Sequence, residues 1–160
     1  MKKRTKKCVI LLSGGLDSSV VLSICNQLKY EIYAISFNYK QRHVKELNLA
    51  KWQAKKHNVK SHKIFTIDLY GGSALTDDIE VPENKDVASI PKTIPVTYVA
   101  GRNLVFLSIA AGYAESLDIN DIYIGVNSID YSGYPDCRKE FIVSFGTFVQ
   151  IYVYFPSKFF

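Results

Sequence analysis

A turn rich in glycine and serine, set between two apolar runs, constrains the fold of this chain more than any other feature. It lies at residues 11–22 and reads LLSGGLDSSVVL. The run before it, residues 8–12, is short and apolar and contains β-branched residues, which predicts a buried strand. Aliphatic residues recur at helical spacing over residues 18–28. The segment is therefore predicted to form a strand, a tight turn and a helix.

The composition of the turn is typical of a site for an anion. Gly14 and Gly15 let the backbone turn sharply and approach a ligand closely, and the first amides of the following helix point at the same place. Asp17 either caps the helix or, beside a polyphosphate, helps to hold a magnesium ion. The turn has no lysine, so it is not the phosphate loop of kinases and GTPases. We predict phosphate binding rather than an ordinary turn, because hydroxyl donors are added by Ser13, Ser18 and Ser19.

The composition indicates one globular domain that functions in the cytoplasm. A chain of 160 residues with 48% hydrophobic side chains can bury a core. The three cysteines are odd in number and far apart in sequence, which argues against a disulfide framework and favours a reducing compartment. The sequence shows no signal peptide and no run long enough to span a bilayer, so no membrane partner is expected. The chain has a net charge of +5, and its first seven residues, MKKRTKK, are strongly basic. Because no aromatic residues are interleaved there, we interpret this segment as a solvated tail rather than a nucleic-acid site.

The remaining pattern predicts a doubly wound α/β fold with a mainly parallel sheet and helices on both faces. Strands are predicted at residues 30–39 and 63–69, with an amphipathic helix at 44–58 between them. A helix at 102–117 and a strand at 119–126 follow a long connection over residues 70–97, which is predicted to carry a lid or a substrate loop. Ligands of such sheets bind at the carboxyl ends of the strands, where the glycine turn also lies.

Two further stretches place cationic and polar residues beside that sheet edge. Arg42 follows the second strand, where it either reaches phosphates or belongs to an ordinary polar loop. His43 either caps the next helix or contacts the substrate, or it belongs to the same ordinary loop. Asn103 is predicted to cap the apolar helix that follows it. Arg102 would then project from a helix N-terminus toward an anionic ligand.

A crowded polar loop follows the last predicted strand. Its sequence, SIDYSGYPDCRKEF, contains Asp130, Tyr134, Asp136 and Arg138, and so many polar groups at the carboxyl end of a strand suggest a site. Read singly, Arg138 also fits an ion pair with Asp136, and Cys137 fits a small buried apolar residue.

These motifs resemble those of a known family. The pattern S-G-G-x-D-S resembles the PP-loop of the ATP pyrophosphatase superfamily, whose members split ATP between its α and β phosphates. In order, LSGGLDSS, YKQRHVKEL, YVAGRNLVFLS and GVNSIDYSGYPDCRKEF resemble the 7-cyano-7-deazaguanine synthases of queuosine biosynthesis over residues 8–141. The resemblance implies the adenine nucleotide alpha hydrolase-like fold and a ligase that uses ATP, magnesium and ammonia. Its substrate would be 7-carboxy-7-deazaguanine, activated as an acyl-adenylate and converted through an amide to the nitrile.

The resemblance also implies roles for individual residues. ATP would be held by Leu12, Ser13, Gly14, Gly15, Leu16, Asp17, Ser18, Ser19, Val20, Val21 and Leu22. Catalysis would involve Asp17, Arg102 and Arg138. The substrate would be bound by Arg42, Asn103, Asp130, Tyr134 and Asp136. A homodimer is compatible with the resemblance.

The chain departs from the family pattern in three places. Lys40 and Ala100 replace a glycine and a proline, and the family's C-terminal segment with a zinc site of four cysteines has no counterpart here. We therefore expect an incomplete synthase domain over residues 8–141 and an aberrant aromatic tail over 142–160. The expected chain binds no stoichiometric zinc, tends to aggregate and makes little nitrile. One alternative is a remnant that still binds ATP. Another is a different PP-loop enzyme such as a tRNA-modifying ligase, and this alternative is disfavoured because no paired catalytic cysteine motif is present.

Overall fold

The computed structural model describes residues 5–39, 44–69, 71, 94, 97–126 and 134–152. Within these ranges, helices alternate with short parallel strands, as the sequence predicts. The strands are β1 Lys7–Leu11, β2 Glu31–Asn38, β3 Ser61–Thr66 and β4 Asp121–Tyr123. The helices are α1 Leu16–Gln27, α2 Val44–Lys56, α3 Arg102–Ser116 and α4 Lys139–Tyr152, with a 3-10 turn at Pro135–Cys137.

The described strands form one parallel sheet in the order β3-β2-β1-β4. Strand β1 lies between β2 and β4, and its apolar run is buried because both faces of a parallel sheet are covered. Alternate residues of this run enter different cores. Val9 packs with Phe106 and Ala110 of α3, whereas Ile10 packs with Leu22 of α1. Helices therefore cover both faces, which confirms the predicted doubly wound α/β fold.

The core beneath α1 also brings two cysteines together. Cys8 and Cys25 are far apart in sequence, yet both are fully buried free thiols in the same cluster. A hydrogen bond with Cys25, together with burial, raises the pKa of the Cys8 thiol. These thiols therefore serve as small apolar core residues, as expected for buried free cysteines.

The boundaries differ most from prediction at the later strands. Strand β4 pairs with β1 over only three residues, whereas residues 119–126 were predicted. The amide of Ile119 donates instead to the carbonyl of Ala114, so this residue closes the end of α3 and does not extend the strand. Strand β3 begins two residues before the predicted one because the turn at Asn58, with its positive φ of 51°, ends α2 early.

Helix α4 spans the domain boundary predicted at Phe141, and that boundary stays a prediction. Its apolar residues between Phe141 and Val149 are at most partly buried, and Val143 and Phe148 are each 59% exposed. In the part of the chain that the structure describes, every helix is too short or too polar to cross a membrane.

Candidate functional site

A cavity of about 280 Å³ opens at the carboxyl end of the sheet. Its walls come from the ends of β1 and β2, from the segment after β4, and from the first turns of α1, α2 and α3. Strands β2 and β3 lie on one side of β1, and β4 lies on its other side. The cavity therefore lies where strand order reverses, which is the usual place for a ligand in a doubly wound sheet.

The glycine turn holds itself in shape through its own serines. The amide of Gly15 donates to Ser13 Oγ at 3.1 Å, and Ser18 Oγ donates to the carbonyl of Gly15 at 3.0 Å. Because the Ser18 proton is used there, the 3.0 Å contact between Ser13 and Ser18 must be a donation from Ser13. Ser19 Oγ also donates to the Gly15 carbonyl, at 2.7 Å. This closed ring of hydrogen bonds preorganises the turn at the edge of the cavity.

Helix α2 supports the turn from outside. Gly14 has a φ of 91°, and a Cβ built there would lie 2.1 Å from the backbone carbonyl oxygen of Glu46. Gln53 donates to Ser19 Oγ at 2.7 Å. Glu46 also lines the cavity, so α2 brings an acidic residue beside a turn that is suited to an anion.

A chain of hydrogen bonds runs from β3 to the residue before the turn. Ser36 Oγ, which is buried, donates to the backbone carbonyl of Leu12 and contacts His62 Nε2 at 2.7 Å. Since the single Ser36 proton goes to Leu12, His62 must donate through Nε2. Burial, with a smaller effect from the nearby Lys51 charge, lowers the pKa of His62. The neutral imidazole therefore helps to hold the chain where it enters the turn.

The lowered pKa of His62 predicts an acid-sensitive contribution to stability. The unfolded chain binds a proton near the ordinary His pKa of 6.5, whereas the folded chain binds it only at lower pH. Stability from this residue is thus complete above about pH 6.5 and is lost as the pH falls through the folded-state pKa. We expect His62→Gln, which keeps a donor for Ser36, to flatten this part of the curve of unfolding free energy against pH. Urea titrations at several pH values measure the slope, with His57→Gln as control, and equal slopes for His62→Gln and wild type would refute the assignment.

The start of α3 is built differently from the prediction. The predicted cap, Asn103, lies inside the first turn, and the helix begins after Gly101 in the left-handed conformation at φ 62°. The carboxylate of Asp136 provides the capping acceptor, since its Oδ2 accepts from the Asn103 amide at 2.8 Å. The prediction that Asn103 is the cap is therefore wrong, because a distant side chain takes that role. Asp17 is likewise no cap: α1 begins after Gly15 without a side-chain capping bond.

Arg102 and Asn103 both line the cavity, as does Cys137 from the polar loop. Arg102 Nη1 donates to the hydroxyl of Tyr39, the residue that follows β2, at 3.5 Å. Asp136 is buried behind this wall and does not line the cavity, and Arg138 is exposed beyond the turn. Tyr134 contacts Thr97 through a hydrogen bond of 2.6 Å between their hydroxyl groups.

The direction in which each residue projects from α1 decides which of the predicted ATP-binding residues line the cavity. Leu12, Ser13 and Ser18 line the cavity, whereas Asp17 in the first helical turn does not. Leu22 is fully buried in the core, and Leu16 is 80% exposed. Val20 and Val21 lie on the same helix outside the cavity wall. The helix turns the side chain of Leu22 into the core, and its role in holding ATP stays a prediction. The predicted residues Arg42, His43 and Asp130 lie outside the described residues.

Sequence reasoning missed several cavity residues, namely Ser36, Tyr39, Glu46 and Phe106. Tyr39 and Glu46 belong to the stretch YKQRHVKEL, and the position of Tyr39 at a strand end was a usable signal. Phe106 stacks on Phe37 with ring centroids 3.9 Å apart and planes 5° apart, which forms an aromatic wall. No sequence pattern pairs these two rings.

Curated proteins similar to this chain are 7-cyano-7-deazaguanine synthases. The 7-cyano-7-deazaguanine synthase of Thermoplasma acidophilum is 60% identical over 138 residues, which cover 85% of this chain and 57% of the relative. The synthase of Rickettsia prowazekii is 53% identical over 149 residues, which cover 91% of this chain and 66% of the relative. The chain thus spans well under the full length of these relatives.

A solved structure and a family model complete the comparison. The NH3-dependent NAD synthetase of Campylobacter jejuni has a similar fold, with a TM-score of 0.50 at 21% identity, covering 81% of this chain and 51% of that one. The model of the family described as queuosine biosynthesis protein QueC matches residues 7–154. The chain belongs to the family of the queuosine biosynthesis protein QueC.

Proposed function

We propose that this chain binds ATP in the described cavity and contributes to the ATP-dependent conversion of 7-carboxy-7-deazaguanine and ammonia to 7-cyano-7-deazaguanine. The observation that carries the proposal is the convergence of the glycine turn, the first turn of α1 and Arg102 on one cavity. Helix N-termini and arginine side chains both favour phosphate. The relatives named as synthases of this product support the substrate. The three free thiols support a cytoplasmic setting.

The proposed reaction needs the carboxylate to become an electrophile. A carboxylate oxygen attacks the α-phosphorus of ATP, the bond to the β-phosphate breaks, and pyrophosphate leaves. Ammonia then adds to the acyl-adenylate, and AMP and a proton leave to give the amide. The amide oxygen attacks the α-phosphorus of a second ATP, so that a second pyrophosphate and an amide proton leave, and loss of AMP and the remaining proton gives the nitrile. Turn amides and Arg102 would stabilise negative charge that develops on the departing phosphates.

The donor set beside the turn fits magnesium bound together with phosphate. Mg²⁺ is usually held by one or two carboxylates plus the oxygens of substrate phosphates. Glu46 on the cavity wall is the first carboxylate we assign to it. The second is Asp17, which lies in the first turn of α1 outside the cavity wall and is assigned from the family resemblance. When bound, the ion would offset charge on the pyrophosphate. A structural zinc site needs four converging ligands. Among the described residues, no group of three or more His, Cys, Asp or Glu side chains is placed to hold a metal ion.

This assignment predicts a magnesium-specific loss of affinity. Asp17→Ala and Glu46→Gln should each weaken binding of ATP about tenfold when magnesium is present, because a charged ligand is removed. Their effect should disappear when EDTA replaces magnesium. Calorimetric titration of ATP under both conditions measures this, with Glu115→Gln at the far end of α3 as control. Unchanged magnesium-ATP affinity in folded Asp17→Ala and Glu46→Gln would remove both residues from the metal site.

The proposed activity is tested by incubating the chain with 7-carboxy-7-deazaguanine, ATP, magnesium and ammonia. Mass spectrometry should find AMP, pyrophosphate and either the amide or the nitrile, all dependent on the acid. ATP binding without any acid-dependent AMP would favour the non-catalytic alternative. Acid-independent AMP formation that requires tRNA would favour a tRNA-modifying ligase and overturn the proposal.

A further inference from the structure

We infer that Asp136 and Asn103 are positioning residues that hold Arg102 at the cavity, and that Asp136 does not bind the substrate itself. The inference rests on the proposed function only for the identity of the ligand as ATP. Its structural basis is a reciprocal set of hydrogen bonds between the 3-10 turn Pro135–Cys137 and the first turn of α3. We call this set of bonds the α3 clamp.

The Asp136 carboxylate is committed to the protein interior. This residue is 5% exposed, and its Oδ2 accepts from the Asn103 amide at 2.8 Å. A buried carboxylate requires such a partner, and the N-terminus of a helix favours negative charge. The side chain does not line the cavity, so it has neither the access nor the free charge that substrate binding would require.

Asn103 ties the same two segments in the opposite direction. Its Nδ2 donates to the carbonyl of Asp136 at 3.2 Å and contacts Cys137 Sγ at 3.1 Å. Asn103 is 7% exposed, so these bonds are shielded from water. Each segment therefore supplies a donor or an acceptor to the other, and the helix start and the turn are expected to move together.

Aromatic residues extend this connection to the segment immediately before α3. The hydroxyl groups of Thr97 and Tyr134 lie 2.6 Å apart, and the rings of Tyr98 and Tyr134 have centroids 5.9 Å apart. The Tyr98 hydroxyl accepts from the Gly101 amide at 3.1 Å. The backbone immediately before α3 is thus held by the same loop that supplies Asp136.

Arg102 is the residue whose position depends on the clamp. It is the first residue of α3, adjacent to Asn103, and within the part of the chain that the structure describes its guanidinium makes a long hydrogen bond of 3.5 Å to Tyr39. A long side chain with so weak an anchor is directed mainly by its backbone. When the first turn of α3 is held in place, the guanidinium stays on the cavity wall. When the clamp is broken, the same side chain should sample positions away from the ligand.

A double-mutant cycle on ATP affinity tests this inference with the full chain. Arg102→Gln should weaken ATP binding about tenfold or more, because a charge-assisted contact with phosphate is lost. Asp136→Ala should weaken it by a similar factor, and the double variant should bind no more weakly than Arg102→Gln alone within about twofold. Asp136→Asn keeps an oxygen acceptor and should recover part of the affinity. Glu115→Gln, on the same helix, is the control that leaves affinity unchanged.

The outcomes separate the clamp from the proposed function. If wild-type chain binds ATP and the losses of the two single variants multiply in the double variant, Asp136 does not act through Arg102 and the inference is wrong. If wild-type chain binds no ATP, the proposed function fails, and amide hydrogen exchange decides the clamp. Exchange over residues 101–105 should be faster in Asp136→Ala than in Glu115→Gln, and equal exchange would overturn the clamp. Asn103→Ala, which removes the bonds to the Asp136 carbonyl and to Cys137, provides the same comparison if Asp136→Ala does not fold.

Discussion

Replacing Gly14 by alanine is expected to lower the free energy of unfolding by about 3–5 kcal/mol and to abolish ATP binding. The added Cβ would lie 2.1 Å from the Glu46 carbonyl oxygen and 2.9 Å from the Ala50 amide nitrogen. Both neighbours are backbone atoms of α2, so no side chain can rotate to make room. The φ of 91° is a second cost for any residue with a Cβ.

The matched control is Gly112→Ala, in the interior of α3. A Cβ there meets nothing within 4 Å, and alanine should stabilise the helix by roughly 0.5–1 kcal/mol. Urea denaturation measures both variants, and calorimetry measures their ATP affinity. A Gly14→Ala chain with wild-type stability and affinity would show that α2 does not pack against the turn as described.

Replacing Gly125 by alanine is expected to weaken ATP binding by one to two orders of magnitude, or about 1.4–2.8 kcal/mol. The new Cβ would lie 2.7 Å from the carbonyl carbon of Asp17 and 2.9 Å from the amide nitrogen of Ser18. The segment after β4 would have to move away from the first turn of α1. The segment after β4 and the first turn of α1 form two walls of the cavity. Moving one away from the other would misalign the helix amides that we propose bind phosphate with the wall that faces them.

The stability of Gly125→Ala should fall by about 1–3 kcal/mol, which is less than the loss expected for Gly14→Ala, because a short strand end can shift. Gly146→Ala on α4, where a Cβ meets nothing within 4 Å, is the control. Wild-type ATP affinity in Gly125→Ala, alongside wild-type stability, would contradict the close approach of β4 to α1. A loss of stability with unchanged affinity would place the nucleotide outside the cavity.

The local sequence pattern was sufficient to predict the turn after β1, the alternation of strands and helices, and the helix that begins at Arg102. The turn between β1 and α1 was predictable because glycine, serine and aspartate are placed between a strand-like and a helix-like run. The alternation of strands and helices then predicted the doubly wound sheet and the edge that carries the cavity. Arg102 was found by the same reasoning, since it begins a helix at that edge.

Contacts between distant segments could not be predicted in this way. Asn103 and Asp136 are 33 residues apart, and no local rule states that an aspartate from a later loop will cap α3. The packing of Glu46 against Gly14 and the hydrogen bond from Ser36 to Leu12 have the same origin. These contacts follow from how whole elements pack, because register and helix rotation decide which side chains meet.

Nuclear magnetic resonance with Mg-ATP tests the central claim, ATP binding in this cavity, most directly. Backbone amide shifts of a ¹⁵N-labelled chain are recorded as Mg-ATP is added to saturation. The cavity described here predicts the largest shift changes at residues 13–19, at 36–39, at 102–103 and at 124–126, with little change at residues 143–148 of α4. No shift changes at saturating Mg-ATP, or changes confined to residues away from the cavity, would contradict the claim.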